Sequence, residues 1–307
     1  MNLLGERIAK LRTEPNAMQR YVSRRAFPVF ERLGFHVVGN HFYEPLPDTR
    51  RIVADYRDEP RAHLGIDFRL ASAEDELLSL LETHASAFEH ADELGYTERN
   101  HYFRGLDAVT LFARLRADRP RTVIEIGTGY STSVAAAALE LNAAEGDPPS
   151  LVTIDPFDRH SLKRAPRGVE VVRVRAELQS LALDRFAELE AGDVLFVDSS
   201  HVHKFGSDVE FQFEQVYPVL APGVIVHVHD VFSPYPYPLA WYTRERRFWN
   251  EQSYLETLLR SPSAFRVQMP VHALARQSAR IAATCARVCT WDGYRHRGSS
   301  FYLERAA

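Results

Sequence analysis

Cysteine is nearly missing from this chain. Cys285 and Cys289 are the only two in 307 residues, so no disulfide framework can hold the fold. Set four apart on an expected helix at 272–289, they share a stripe with Leu274, Ile281 and Val288, and they read as buried reduced thiols rather than half of a metal site. No apolar run approaches the roughly 18 residues that a membrane helix needs. The opening MNLLGERIAKLRTEP places charges where a secretory leader needs an apolar stretch, so a cytoplasmic protein is expected. Charge of one sign is also lacking. Lys and Arg number 37 against 41 Asp and Glu, for a net charge of -4, and no basic field exists to draw nucleic acid. The one locally basic stretch, 6–32, reads as a solvated helix face. Internal repeats and low-complexity linkers are absent too. What the chain does have is 45% apolar residues, enough for one large domain, or a catalytic domain with an accessory region.

The first third is helical in pattern. Residues 6–34 read as helix, with Pro15 and Pro28 as breaks, and HFYEPLPD at 41–48 is extended because two prolines in three positions exclude a helix. Helices follow over 73–93, with Leu77, Leu80, Leu81, His84 and Phe88 on one face, and over 105–117. Beyond residue 120 strands alternate with helices. Strands are expected at 121–126, 151–154, 169–174, 193–198 and 223–229, with helices at 130–142, 179–190 and 205–220 between them. Such alternation implies a mostly parallel sheet with right-handed crossovers and helices on both faces. Two late strands, 264–269 and 299–303, read as a hairpin-like pair around the helical insertion at 272–289. The expected organisation is an N-terminal helical accessory region at 1–104 and an α/β domain at 105–307.

The most specific pattern is VIEIGTGYST at 123–132. A strand runs into Gly127 and Gly129 and a helix begins at once, which lets the backbone approach a ligand closely. Glu125 stands two residues before the first glycine. A dinucleotide pyrophosphate wants free amides there, whereas a carboxylate suits a cationic ligand without phosphate, such as S-adenosylmethionine with its sulfonium and ammonium. Asp155 ends the second strand and is suited to accept ribose hydroxyls.

With these residues in hand, the stretch from about 105 to 304 resembles the class I S-adenosylmethionine-dependent methyltransferases. The resemblance implies a Rossmann-like seven-stranded sheet with one antiparallel strand. It implies that Glu125, Gly127, Gly129 and Ser131 line the methionine end, that Asp155 holds the ribose, and that Glu177 or Gln179 lies near the adenine. Ser131 stands where the fullest family pattern, E-x-G-x-G-x-G, has its third glycine. The flanks are similar to a narrower group of bacterial methyltransferase-like proteins, through HFYEPLPD (41–48), GIDFR (65–69), VDSSHVHKFGSDV (197–209), HVHDVFSPYPYP (227–238), WNEQSYL (249–255) and GSSFYLER (298–305).

Chemistry in an open parallel sheet sits at the carboxyl ends of the strands. Asp198 ends the fourth strand, His229 and Asp230 end the fifth, and His201, His203 and Lys204 lie in the loop between. Methyl transfer to a hydroxyl needs the acceptor to be positioned and made nucleophilic, by a general base or by a metal that lowers its pKa. Asp198-Ser-Ser-His201 followed by His229-Asp230 resembles the macrocin and mycinamicin type of sugar O-methyltransferase. That resemblance implies His201 as base and a metal at Asp198 and Asp230, with His229 in the place of a family Glu. The catalytic set is therefore His201, Asp198 and His229, and the metal set Asp198, His229 and Asp230. The ion is magnesium or a softer one, since imidazole suits zinc, manganese or iron; a metal-free site is the alternative. His227 shares the strand face of His229, as an expected second-layer partner or a plain core residue. Tyr235, Tyr237 and Trp241 form an expected acceptor wall, or else an ordinary apolar cover; Arg276, Arg280 and Arg287 read as a solvated face. His41, Tyr43 and Asp48 lie in the rigid extended segment, with no catalytic motif around them. The expected partners are a small-molecule acceptor, a sugar or natural-product intermediate, and a second copy in a homodimer. Rival readings keep the fold but alkylate nitrogen or carbon, alkylate without methylating, or bind without catalysis; an NAD-dependent oxidoreductase is the remaining rival.

Overall fold

The computed structural model describes residues 17–40, 43–62, 64–157, 160–260, 264–288 and 298–306. Two compact units emerge: residues 1–58 with 238–248, and residues 59–237 with 249–307. In the first unit, α1 spans Ala17–Arg32 and α2 spans Thr49–Asp55. Pro28 lies inside α1 instead of ending it. It stands in the penultimate turn, where its missing N–H removes one ladder bond and leaves the rest intact. Pro15 lies outside the described residues, as do His41 and Phe42. Where an extended segment was expected, residues 43–46 instead turn and bend, and the Asp48 carboxylate then caps α2 by accepting from the Arg50 N–H at 2.9 Å. A short helix, Leu239–Thr243, packs with α2 in the same unit.

The second unit holds the sheet. Its strands are β1 (Thr122–Ile126), β2 (Ser150–Ile154), β3 (Glu170–Val174), β4 (Val194–Val197), β5 (Ile225–Val228), β6 (Phe265–Pro270) and β7 (Phe301–Arg305), in the order β3-β2-β1-β4-β5-β7-β6. β1 to β5 pair in parallel, and β7 runs antiparallel between β5 and β6. The alternating pattern implied the parallel set, and the family resemblance implied the Rossmann-like seven-stranded sheet with one antiparallel strand that is found here. Strand side chains alternate between faces, so one sheet feeds two cores. Val123, Leu151, Phe196 and Tyr302 pack under α3 (Leu70–His84), α4 (Leu106–Asp118) and α5 (Tyr130–Ala143). Ile124, Ile126, Leu195, Val197, Val226 and Val228 face the other way, onto Phe186, Phe211, Val216 and Leu255. Leu255 lies on α6 (Glu251–Leu258).

Four helices depart from expectation. The stretch 73–93 is α-helical only to His84 and continues as a 3₁₀ stretch, Ala85–His90, and a single turn, Ala91–Leu94. The stretch 179–190 yields only a 3₁₀ turn, Leu178–Ser180, and one turn at Asp184–Ala187. Ser180 Oγ donates to the Glu177 carbonyl at 2.7 Å and Leu181 is extended, which closes the first turn at once. The insertion at 272–289 divides into α7 (Val271–Gln277) and α8 (Ala279–Val288). Ser278 is extended, and its hydroxyl accepts from the Ile281 N–H at 3.0 Å as the cap of α8. The helix after β4 carries a π-helical stretch at Gln212–Val216. Cys289 lies outside the described residues; Cys285 is a free, half-buried thiol that burial pushes up to about 11. Among the described residues, no helix is long and apolar enough to cross a membrane.

Phe112 is wholly buried on α4, edge-on to Phe88 at 5.6 Å between centroids. Phe112→Ala should cost about 3–5 kcal/mol, read as a lower urea midpoint with unchanged slope.

Candidate active site

The bend after β1 is made by one glycine that the chain itself requires. Gly127 has φ +89°, and a Cβ built there would lie 2.0 Å from the carbonyl oxygen of Asp198. The Asp198 N–H donates to the Ile126 carbonyl at 2.9 Å and holds the end of β4 against β1, while the Gly127 N–H donates to the Ile154 carbonyl of β2 at 2.9 Å. Gly129 differs. Its backbone is extended, and the nearest atom to a built Cβ is Ser131 Oγ at 3.9 Å, so no protein atom demands a glycine there. Asp155 ties the bend down, accepting from Thr128 N and Oγ1 at 2.9 Å each and from Phe157 N at 2.6 Å. Glu177 is exposed after β3 and accepts from Gln179 Nε2 at 3.1 Å.

Glu125 is not the open carboxylate that the pattern suggested. It shares its strand face with Val123, beneath α5, and is 0% exposed. Ser131 Oγ donates to its Oε1 at 2.6 Å, and Oε2 has no partner. Burial pushes its pKa up to about 8, against hydrogen bonds from Ser131 and Thr132, and the nearby Asp198 and Asp155 add to the rise. A carboxyl group in that place is mostly protonated near neutral pH and serves the helix start.

The ends of β4 and β5 carry the densest polar cluster. His201 follows β4 with φ +58° and Asp230 follows β5 with φ +57°, left-handed backbone that His and Asp adopt more readily than most residues. His201 Nε2 lies 3.3 Å from Asp198 Oδ1 and 3.9 Å from Asp230 Oδ2, and its Nδ1 is 2.8 Å from Glu251 Oε2. His229 Nδ1 is 3.3 Å from Asp198 Oδ1 and 3.8 Å from Asp230 Oδ1, and its Nε2 is 3.4 Å from Asp107 Oδ2. Both imidazoles are 3% exposed, whereas Asp198 and Asp230 keep 28% and 17% of their side chains open. Ligand atoms of Asp198, His201 and Asp230 lie within 4.8 Å of one another. His201 thus takes the place in the metal-compatible set that the sequence reading gave to His229, because His229 is turned between Asp107 and Asp198.

The carboxylates around the two rings shift their affinity for protons. Burial disfavours a charge on His201, but hydrogen bonds to Asp198 and Glu251 outweigh it and push the ring up to about 10. His229 is likewise raised, its burial outweighed by Asp198 and Asp230, while Asp198 is held well below the carboxylate range by both rings despite burial. A ring so placed holds its proton more tightly than a free imidazole.

Asp107 and Glu251 were missed by sequence reasoning. Asp107, on α4, is wholly buried and accepts from the N–H groups of Ser299 and Ser300 at 2.8 Å each, which fixes the entry to β7 beside β5. Ser299 Oγ in turn donates to Asp230 Oδ1 at 2.9 Å. Asp107, Thr110 and Arg114 form a buried polar stripe at helical spacing, a pattern that was legible. Glu251 lies in the quoted stretch WNEQSYL, which carried resemblance but no assigned role.

The remaining candidates are structural in placement. His227 is wholly buried between Phe196 and Tyr302, at 4.5 and 4.1 Å between centroids, and burial first, then His229, holds it neutral. The His203 ring stacks on Tyr254 at 3.8 Å, and Lys204 is exposed. Tyr235 and Tyr237 are buried rather than forming an open wall. The Tyr235 hydroxyl meets Gln277 Nε2 at 3.3 Å and the Tyr237 hydroxyl accepts from the Gln252 N–H at 3.1 Å. Trp241 lies in the other unit, under the Arg247 guanidinium at 4.9 Å. Arg276 covers the Tyr235 ring at 4.1 Å, while exposed Arg280 pairs with Asp75 at 2.9 Å.

A seven-stranded sheet with this order, a glycine bend after β1 and a polar cluster at the ends of β4 and β5 defines the class I methyltransferase architecture. Residues 124–231 match the family model described as "Methyltransferase domain" (Methyltransf_24). That span opens inside β1 and closes one residue past Asp230. An uncharacterized protein of Archaeoglobus fulgidus is 27% identical over 139 residues, which cover 40% of this chain; the chain spans about 60% of the length of that curated relative. Among solved structures, a DUF574 family protein from Streptomyces avermitilis is 14% identical over 78% of this chain and 90% of its own, with a TM-score of 0.40. CalS11, a TDP-rhamnose 3′-O-methyltransferase of calicheamicin biosynthesis, is 14% identical over 82% and 98%, with a TM-score of 0.41. The Podospora anserina methyltransferase PaMTH1, bound to SAH, is 17% identical over 86% and 99%, with a TM-score of 0.38.

Glu125 generates a pH prediction. Its unfolded pKa is near 4.5 and its folded value about 8, so the native state binds the extra proton between them. Stability should fall as pH rises from about 4.5 to 8, by an amount on the order of 4 kcal/mol. Glu125→Gln should flatten that slope in denaturant titrations run at several pH values; an unchanged slope would assign the titration elsewhere.

Proposed function

We propose that this protein transfers the methyl group of S-adenosylmethionine to a hydroxyl of a small molecule, a sugar or natural-product alcohol. The methyltransferase-domain match over 124–231 carries the reading, since it spans both the glycine bend and the His229–Asp230 end. The residues of the bend fit the donor. Gly129 leaves a cradle that a Cβ would narrow, Glu125 keeps an unpartnered buried oxygen beside it, and Asp155 stands at the end of β2 where a ribose is held in such sheets. When bound, S-adenosylmethionine supplies an electrophilic methyl on a sulfonium that carries its own leaving group.

The protein's work is then to orient the acceptor in line and to exclude water. Asp198 and Asp230, the open members of the cluster, would grip the hydroxyl. As the carbon–oxygen bond forms, that hydroxyl becomes an oxonium, a far stronger acid than any carboxylic acid. Either carboxylate can take its proton, without help from His201. A divalent ion held by the same carboxylates would lower the hydroxyl pKa further.

Isothermal titration with S-adenosylmethionine tests the reading first; absence of binding at millimolar ligand would sink it. Gly129→Ala should keep the wild-type melting temperature and weaken the donor at least about tenfold, because its Cβ meets space and not protein. Gly127→Ala should instead lower the melting temperature, by a clash with backbone that cannot yield. Asp198→Asn should cut S-adenosylhomocysteine formation in cell extract by about 10²–10⁴ while donor affinity stays within about twofold.

A further inference from the structure

The two units carry opposite net charge. The first, residues 1–58 with 238–248, holds 13 Lys and Arg against eight Asp and Glu, and the second holds 24 against 33. The first is under a quarter of the chain, yet nine of the 13 large apolar side chains exposed among the described residues belong to it. Most of these gather on α1 and just after it. Val22 and Val29 are seven residues apart and Leu33 follows four later, so the three share one helical face. They are 54%, 57% and 65% exposed. Arg25 and Arg32, also seven apart and exposed, run beside that stripe, and the Tyr21 ring lies under the Arg25 guanidinium at 5.2 Å.

The inward face of α1 is already occupied. Ser23 is buried, Gly34 at φ +86° ends the helix, and the returning segment sets His36 on Phe27 at 4.8 Å and Phe35 against Phe30 at 5.1 Å between centroids. The stripe is the face left over once the helix has packed. Arginines along an apolar stripe differ from a merely solvated face, because their stems lie on apolar material while the guanidinium stays polar. The size of the patch argues against a second copy as its occupant. Val22, Val29, Leu33, Phe35 and Val37 together expose roughly 500 Å², short of the ~800 Å² that each partner of a stable dimer buries. Pairing α1 with itself would also bring two arginine rows together. A planar anionic surface has neither defect: the stripe sinks in, and the arginines and Tyr21 stay at headgroup level.

We infer that α1 is a docking face for an anionic lipid surface, with Val22, Val29 and Leu33 entering the acyl boundary and Arg25 and Arg32 meeting the phosphate headgroups. The association is weak and reversible, since one short amphipathic helix supplies a small apolar area and few charges. It is independent of the proposed reaction, because it uses no residue of the second unit.

The test is flotation of the full-length protein with vesicles of phosphatidylglycerol mixed into phosphatidylcholine, against vesicles of phosphatidylcholine alone. The mixed vesicles should bind at least about tenfold tighter than the neutral ones. Raising salt to about 1 M, where screening acts within about 3 Å, should erase that preference. Arg25→Gln combined with Arg32→Gln should weaken binding about 25-fold, from about fivefold for each arginine near an anionic surface. Val29→Asp should weaken it at least about tenfold. Arg280→Gln, an exposed arginine of the second unit, should change nothing. Far-ultraviolet dichroism of each variant reports its folding. Folded wild type that floats with neither vesicle, equal binding to both, α1 variants that bind as wild type, or an equal loss with Arg280→Gln would each overturn the inference. So would a dimer in sedimentation velocity that Val29→Asp dissolves, which would give the stripe to a second copy.

Discussion

The contact between Gly127 and the carbonyl of Asp198 organises this molecule. Parallel strands β1 and β4 are neighbours, but only a residue without a Cβ lets the bend of one touch the end of the other. That approach sets the bend beside the first carboxylate of the polar cluster. The glycine bend and the carboxylate cluster therefore become neighbours through backbone packing, before any side chain is chosen. The apolar strands supply the driving force. Ile124, Ile126, Leu195 and Val197 are buried together, and their burial holds the two strand ends in register.

The second constraint is electrostatic. Asp107 is wholly buried, and its charge is met by two backbone N–H groups at the entry to β7 and by His229. An ionised carboxylate in such a place is tolerable only when it is hydrogen-bonded. The antiparallel strand is thereby locked next to β5, and Ser299 is presented to Asp230. Fold and site share this anchor: α4 reaches the cluster from one face of the sheet, and α6 reaches it through Glu251.

The sheet was legible because strand and helix periods differ, and 121–126, 151–154, 169–174 and 193–198 each proved to hold a strand of the parallel set. Helix boundaries were less so where a hydroxyl could replace a ladder bond, as at Ser180 and Ser278. That Asp198, His201, His229 and Asp230 converge was legible from residue type and strand-end position. Their orientation was not readable. Spacing along a chain does not reveal which ring nitrogen meets which oxygen, nor that Glu125 would turn inward and hold its proton. Glu251 lies 50 positions beyond His201, and only tertiary packing joins them.

Two residues of the cluster occupy left-handed backbone, His201 and Asp230. Asparagine, and glycine above all, rest in that conformation with as little strain. Asparagine or glycine at these two positions would therefore add little backbone strain, while removing side chains that Glu251 and Ser299 meet. A descendant in which both had changed would keep its sheet and its bend while losing the carboxylate–imidazole cluster. The scaffold holds an open path to relatives that bind without transforming, and within such a lineage those two backbone positions are where the divergence would first be written.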